Sequence, residues 1–317
     1  MKFSLKMAGA LVAASVAMAA VAEDAAAVKK PIKVMMIGNS FSVSNMPHLP
    51  KVAAAMGIPL DICSMCIGGC SLERHWNNVE KAGDAKFLPY SCSRNVCGVA
   101  QKGRSANLPQ ELKATAWDVV TIQQCSHFSW QAESYHPWGD KLVAKIRELA
   151  PQAKIVVQET WSYTPWDGRL KKWGIDQNEM YAKLHAAYGD FAGKYGFEVI
   201  PMGTAVQSFR RELPVKYTEN SFGGDVCGGI GLKPEKQFEQ DKNGKWHPAK
   251  GVMKPGAKRP TGRCDVFHLN GDGQYFQALV WAAKLFKADV RTCAYAPAGM
   301  DPKRAELMKK IAYESAK

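Results

Sequence analysis

Five short runs of apolar and β-branched residues punctuate the chain: Ile32 to Ile37, Pro59 to Met65, Trp117 to Gln123, Ala153 to Glu159 and Phe197 to Met202. Three of them are nearly continuous in apolar residues, the pattern of strands covered on both faces by helices rather than wetted on one. Between and beyond them, apolar residues recur at helical spacing over Leu49 to Met56, Pro137 to Leu149, Gln177 to Tyr195 and Gly273 to Phe286. In the last of these, Tyr275, Phe276, Leu279, Val280, Ala283 and Phe286 form one stripe, and Asp272 is placed to cap its start. The alternation predicts an α/β protein, a three-layer α/β/α sandwich around a central five-stranded parallel sheet. No Pro/Ser-rich linker divides it, so one domain is expected over residues 31–290, followed by a helical C-terminal extension over 291–317.

One stretch breaks the pattern. Lys233 to Arg263 is poor in apolar residues and carries nine Lys/Arg against three Asp/Glu, which reads as a basic surface insertion. It supplies much of a formal net charge of +13. Such a balance draws nucleic acid, anionic membrane surfaces or acidic polymers, because a field of one sign concentrates opposite charge. The first residues narrow that choice. Lys2 and Lys6 precede an Ala/Val-rich run from Met7 to Val21, and Ala20-Val21-Ala22 stands before Glu23. This is the layout of a cleaved secretory signal over residues 1–22. The run is short and alanine-dominated, so no stable membrane insertion is expected. The protein should be secreted or periplasmic, and intracellular nucleic acid is an unsuitable partner. Nothing in the sequence indicates an oligomeric state.

All nine cysteines lie beyond residue 22, which suits an oxidising compartment and structural disulfides, with at least one thiol left unpaired. Cys92 with Cys97 and Cys227 with Cys264 are candidate bridges. Cys63-x2-Cys66-x3-Cys70 has no second Cys/His pair at zinc-finger spacing, so no metal is expected there.

In a parallel sheet the ligand crevice lies beyond the carboxyl ends of the strands. After the first strand stands Gly38-Asn39-Ser40-Phe41-Ser42; after the second, Gly68-Gly69-Cys70-Ser71; after the third, Gln123-Gln124-Cys125-Ser126-His127. Ser40 would be presented at a tight turn with backbone N–H groups nearby to stabilise an oxyanion. A serine nucleophile needs a base, and the base a carboxylate to hold its tautomer. Asp265 and His268, three apart near the other end of the chain, supply that pair. His48, His136, His185 and His247 have bland placements in helices, before a proline or in the basic insertion. His75 and His127 follow strands but lack an orienting acid at suitable spacing.

Taken in order, these blocks resemble the SGNH, or GDSL-like, hydrolases. Gly38-Asn39-Ser40 is similar to the family's Gly-Asp-Ser block, and Asp265 to His268 matches its Asp-x-x-His block. The resemblance spans roughly Ile32 to Phe286. It implies a flavodoxin-like α/β/α sandwich, ester hydrolysis without a cofactor, and an oxyanion hole from the serine N–H, a glycine N–H and an asparagine side chain. The glycine would be Gly69 or Gly68. Asn39 replaces the family's acid, and Gln123-Gln124 stands where Gly-x-Asn is usual, so Gln123 or Gln124 would complete the hole. Trp76, Trp130, Trp161, Tyr163 and Trp166 gather in the same loops as flat faces suited to sugar rings, with His127 beside them. No apolar lid of a lipase is visible, so the expected substrate is an acylated carbohydrate, anionic if the basic insertion takes part. An acyl transferase using the same serine, or an inactive glycan-binding protein, is the alternative.

Overall fold

The computed structural model describes residues 30–165, 167–212, 225–227, 238–240, 242, 246–248 and 267–317. The unit Pro31–Lys317 holds the fold. Eight strands form its main sheet: β1 (Ile32–Gly38), β2 (Leu60–Cys66), β3 (Tyr90–Val96), β4 (Val99–Ala100), β5 (Arg104–Ala106), β6 (Val119–Ile122), β7 (Lys154–Gln158) and β8 (Glu198–Ile200). A separate hairpin pairs β9 (Phe238–Gln240) with β10 (Trp246–Pro248). The five expected strands are β2, β1, β6, β7 and β8, adjacent in that order and parallel throughout. Counted among themselves they run 2-1-3-4-5, the flavodoxin order, whose reversal falls between β1 and β6.

The helices are α1 (Ser40–Val43), α2 (Leu49–Ala55), α3 (Leu72–Glu80), α4 (Leu108–Ala114), α5 (Trp138–Leu149), α6 (Gly168–Trp173), α7 (Gln177–Tyr195), α8 (Met202–Glu212), α9 (Gly271–Phe286) and α10 (Pro302–Ser315). Helices α2, α8 and α10 pack on α9, while α3 and α4 pack with α5. The strands between are buried on both faces. Val34, Met35, Met36 and Ile37 of β1 are all inaccessible, as their unbroken apolar run requires. None of the described helices is long and apolar enough to cross a membrane.

The hydrophobic pattern missed β3, β4 and β5, which add an antiparallel extension beside β2. Their residues, Tyr-Ser-Cys-Ser-Arg-Asn-Val in β3, alternate polar and apolar and form no apolar run. The turn between β3 and β4 is Cys97-Gly98, both at positive φ, the geometry of a two-residue hairpin. This corrects the bridge expected between Cys92 and Cys97. Cys92 lies within β3 and Cys97 beyond its end, five residues or about 17 Å along an extended strand. Cys264, the other proposed partner of Cys227, lies outside the described residues, as does most of the basic insertion. The cap of α9 is also corrected: Asn270, not Asp272, accepts the Gly273 N–H, and Asp272 instead receives Arg304.

Candidate active site

Ser40 follows β1 at the point where the strand order reverses. The turn that presents it is closely packed: a Cβ on Gly38 would come within 2.4 Å of Ser42 Oγ and 3.2 Å of Gln123 Cδ. Asn39 is buried and extended, and its carboxamide ties three elements together. Oδ1 accepts the Phe41 N–H at 3.0 Å and a Gln123 Nε2–H at 2.8 Å, while Nδ2 donates to the Cys70 carbonyl at 3.1 Å. The set needs an amide, because a carboxylate could not donate to Cys70. Asparagine in place of the resembling family's aspartate is therefore built into this turn rather than merely tolerated.

His268 comes from the far end of the chain, and its approach is secured on both sides. Leu269 bridges to Cys227, and Asn270 donates its N–H to Val226 O and its Nδ2 to Asp225 O. A Cβ on Gly273 would meet Val226 O at 2.2 Å, so α9 can sit this close only with glycine there. Asp225 is itself buried against the Arg210 guanidinium, at 3.2 Å from Nη2, and Arg210 Nη1 donates to both Ser162 O and Ser162 Oγ. The result is a contact across 228 residues: His268 Nε2 lies 2.8 Å from Ser40 Oγ.

Trp161 joins the neighbours of both residues. Its ring stacks on Phe41 at 4.1 Å, and its Nε1–H donates to Phe267 O at 2.7 Å. It is fully buried, so the reading of Trp161 as a sugar platform is corrected: it is a strut between the residue after the serine and the residue before the histidine. Tyr163 is likewise buried, with its hydroxyl on Ser126 at 2.8 Å. Trp76 and Trp130 are half-buried, Trp130 packing against Trp173 at 5.5 Å. Trp166 and Asp265 lie outside the described residues.

Of the expected oxyanion donors, Gly69 sits in a turn at φ +59°, and no hydrogen bond among the described residues uses its N–H. The Ser40 N–H, at the first position of α1, has no acceptor in its own helix. Gln123 donates through Nε2 to Asn39, while its Oε1 is buried without a partner. Gln124 is corrected outright. Its Nε2 donates to Ser134 O and Oγ, and its Oε1 accepts from the Leu72 and Cys125 N–H groups. Both ends of that amide hold the loop after β6 against α3, so Gln124 is structural.

His75 is fully buried with Nδ1 on Tyr90 Oη at 2.9 Å, and burial, aided by the Arg74 charge, pushes its pKa down to about 3. It is a core histidine. His127 contacts Cys125 Sγ at 3.5 Å, and burial followed by the Arg169 charge lowers its pKa. Arg169 itself was missed. Its guanidinium, held by Asp167 at 2.9 Å and 2.5 Å, lies over Tyr163 at 4.1 Å and over Phe267, the residue before His268, at 4.2 Å. In sequence, Asp167-x-Arg169 signals only a local ion pair.

Fold and side chains together define an α/β/α chain with a serine hydroxyl against a histidine ring at the carboxyl edge of a flavodoxin-ordered sheet. The family model described as Domain of unknown function (DUF4886) matches residues 33–225, and the chain belongs to that family. The match takes in Ser40, Gly69 and Gln123 and ends before His268. The crystal structure of a DUF4886 family protein from Bacteroides uniformis is 26% identical with a TM-score of 0.69, covering 90% of this chain and 94% of that one. A chain from Slackia heliotrinireducens, whose assignment to the SGNH hydrolases is itself provisional, is 20% identical with a TM-score of 0.40 (60% and 88% covered). The periplasmic domain of a lipopolysaccharide acetyltransferase from Salmonella ser. Paratyphi A is 13% identical with a TM-score of 0.42 (82% and 85% covered). No curated protein matches the chain. The two more distant structures carry no part of the reading, and the chemistry rests on the side chains.

Proposed function

We propose that the protein is an exported serine esterase that removes acyl groups, acetyl in the first instance, from a carbohydrate. The observation that carries this reading is the 2.8 Å contact of His268 Nε2 with Ser40 Oγ, made between opposite ends of the chain at the place where sheets of this order bind ligands. A serine beside imidazole is a nucleophile in waiting. Ser40 Oγ attacks the ester carbonyl as Nε2 takes its proton. The tetrahedral oxyanion faces the N–H groups of Ser40 and Gly69, with Gln123 at their side. Collapse transfers the proton from Nε2 to the leaving sugar oxygen and leaves an acyl-serine, which water, deprotonated by the same nitrogen, hydrolyses. With Nε2 on the serine, the orienting carboxylate acts at Nδ1, the role assigned to Asp265.

The half-exposed indoles of Trp76 and Trp130, the exposed Phe128 and the absence of an extended aliphatic patch among the described residues support a glycan rather than a lipid surface. A binding protein without turnover is favoured by one observation, the loss of Gln124 as an oxyanion donor.

Labelling by a fluorophosphonate separates the two readings without knowledge of the substrate. Wild-type protein is expected to label at Ser40 and to hydrolyse p-nitrophenyl acetate. Ser40→Ala and His268→Ala should lower that rate by a factor of about 10³ or more. Equal rates in all three proteins would remove the esterase reading.

A further inference from the structure

Away from Ser40, the antiparallel extension carries a second cluster of reactive groups. Cys63 lies midway along β2, Cys92 on β3 and Glu111 on α4, all three buried, and one ligand atom from each lies within 4.8 Å of the others. The two sulfurs are 3.5 Å apart. We infer that Cys63, Cys92 and Glu111 form a binding site for a single soft divalent cation of the zinc class, closed by a water as fourth ligand.

The spacing supports an ion more than a disulfide. Two thiolates sharing a tetrahedral zinc at about 2.3 Å stand about 3.8 Å apart, near the observed separation. A disulfide needs about 2.05 Å between sulfurs and no more than about 6.8 Å between Cα atoms. Cys63 faces Arg94 and Cys92 faces Met65 across the β2–β3 ladder, so the two cysteines are diagonal partners. Diagonal neighbours stand about 7–8 Å apart at Cα, beyond that reach. The surroundings fit as well. Arg104 donates to Glu111 Oε1 at 2.6 Å and leaves Oε2 to ligate, the outer contact that ligating carboxylates usually have. Arg94, directly opposite Cys63 on the ladder and paired with Asp61 at 2.7 Å, adds a second positive charge beside the two sulfurs. Ligand spacing along the chain could not show this site, because Cys92 and Glu111 stand 29 and 48 residues after Cys63. An ion here would clamp α4 to two strands and fasten the extension to the parallel sheet.

The full chain, purified with its thiols reduced, incubated with excess zinc and desalted, is expected to hold about one zinc per chain. The content should fall about tenfold in Cys63→Ser/Cys92→Ser, and Glu111→Gln should weaken the zinc Kd by about tenfold or more. Because the serine variants could fail to fold, the same question is put to wild-type protein by alkylation and peptide mapping. Zinc should protect Cys63 and Cys92 while leaving the exposed Cys97 reactive. Cobalt alone, added to the metal-free chain, should give a thiolate charge-transfer band that zinc abolishes. Absence of retained zinc, equal alkylation with and without it, or a Cys63–Cys92 linked peptide in the protein as isolated would each overturn the proposal.

Discussion

Ser40 owes its setting to the residue before it. Asn39 uses both ends of its amide, and a carboxylate at that position would face the Cys70 carbonyl with no proton to give. Leaving that buried acceptor unpaired costs about 1–3 kcal/mol. Asn39→Asp is therefore expected to lower the urea midpoint by a corresponding amount and to slow fluorophosphonate labelling of Ser40. Full labelling with unchanged stability would show that the tether is dispensable. His75 yields a prediction in pH. In the unfolded chain its imidazole titrates near 6.5, and in the folded protein near 3, because burial disfavours the cation. Between those values the unfolded state binds more protons, so stability falls as pH drops through that window and is fully present above it. The slope from this one residue approaches about 1.4 kcal/mol per pH unit. His75→Gln should flatten the dependence of unfolding free energy on pH between about 6 and 4, as measured by urea titration.

At the scale of elements, the position of His268 is decided by packing that begins on α8. Arg210 pairs with Asp225, the 225–227 segment bridges to Leu269, and α9 closes against Val226. Removing one partner of a buried ion pair costs about 3–5 kcal/mol, since the other charge is stranded. Arg210→Met is expected to lose that much in denaturant unfolding and to reduce the rate of Ser40 labelling in the fraction that remains folded. Wild-type labelling of that fraction would mean that the segment holds the histidine without the pair.

The same elements show what the sequence could and could not reveal. Continuous apolar runs made the five parallel strands legible, and helical spacing placed α7 at Gln177–Tyr195. The antiparallel strands were invisible, because β3 mixes polar with apolar residues and β4 and β5 have only two and three residues, too little apolar signal to read. Ser40 stood out because it follows the first strand, and His268 because Asp265 stands three residues before it. The uses of Asn39, Gln124 and Trp161 were not readable. An amide's partners and an indole's burial depend on residues tens to more than a hundred positions away, and no local pattern encodes them.

For the whole molecule, the formal charge of +13, lessened by Lys2 and Lys6 if residues 1–22 are removed, sets the long-range field in which a substrate arrives. Fields between exposed charges are screened over about 8–10 Å at ordinary ionic strength. If the substrate is an anionic glycan, kcat/KM on an acetylated oligosaccharide bearing uronate should fall several-fold as salt is raised from about 20 mM to 300 mM. The neutral counterpart should change little, and identical responses would remove the anionic substrate. The 228-residue span between Ser40 and His268 has a consequence of its own. During synthesis the serine emerges before its histidine, and the pair exists only once α9 has docked against the sheet. The chain thus completes its serine–histidine pair only by completing its fold, and recovery of fluorophosphonate labelling during refolding would time the docking of α9.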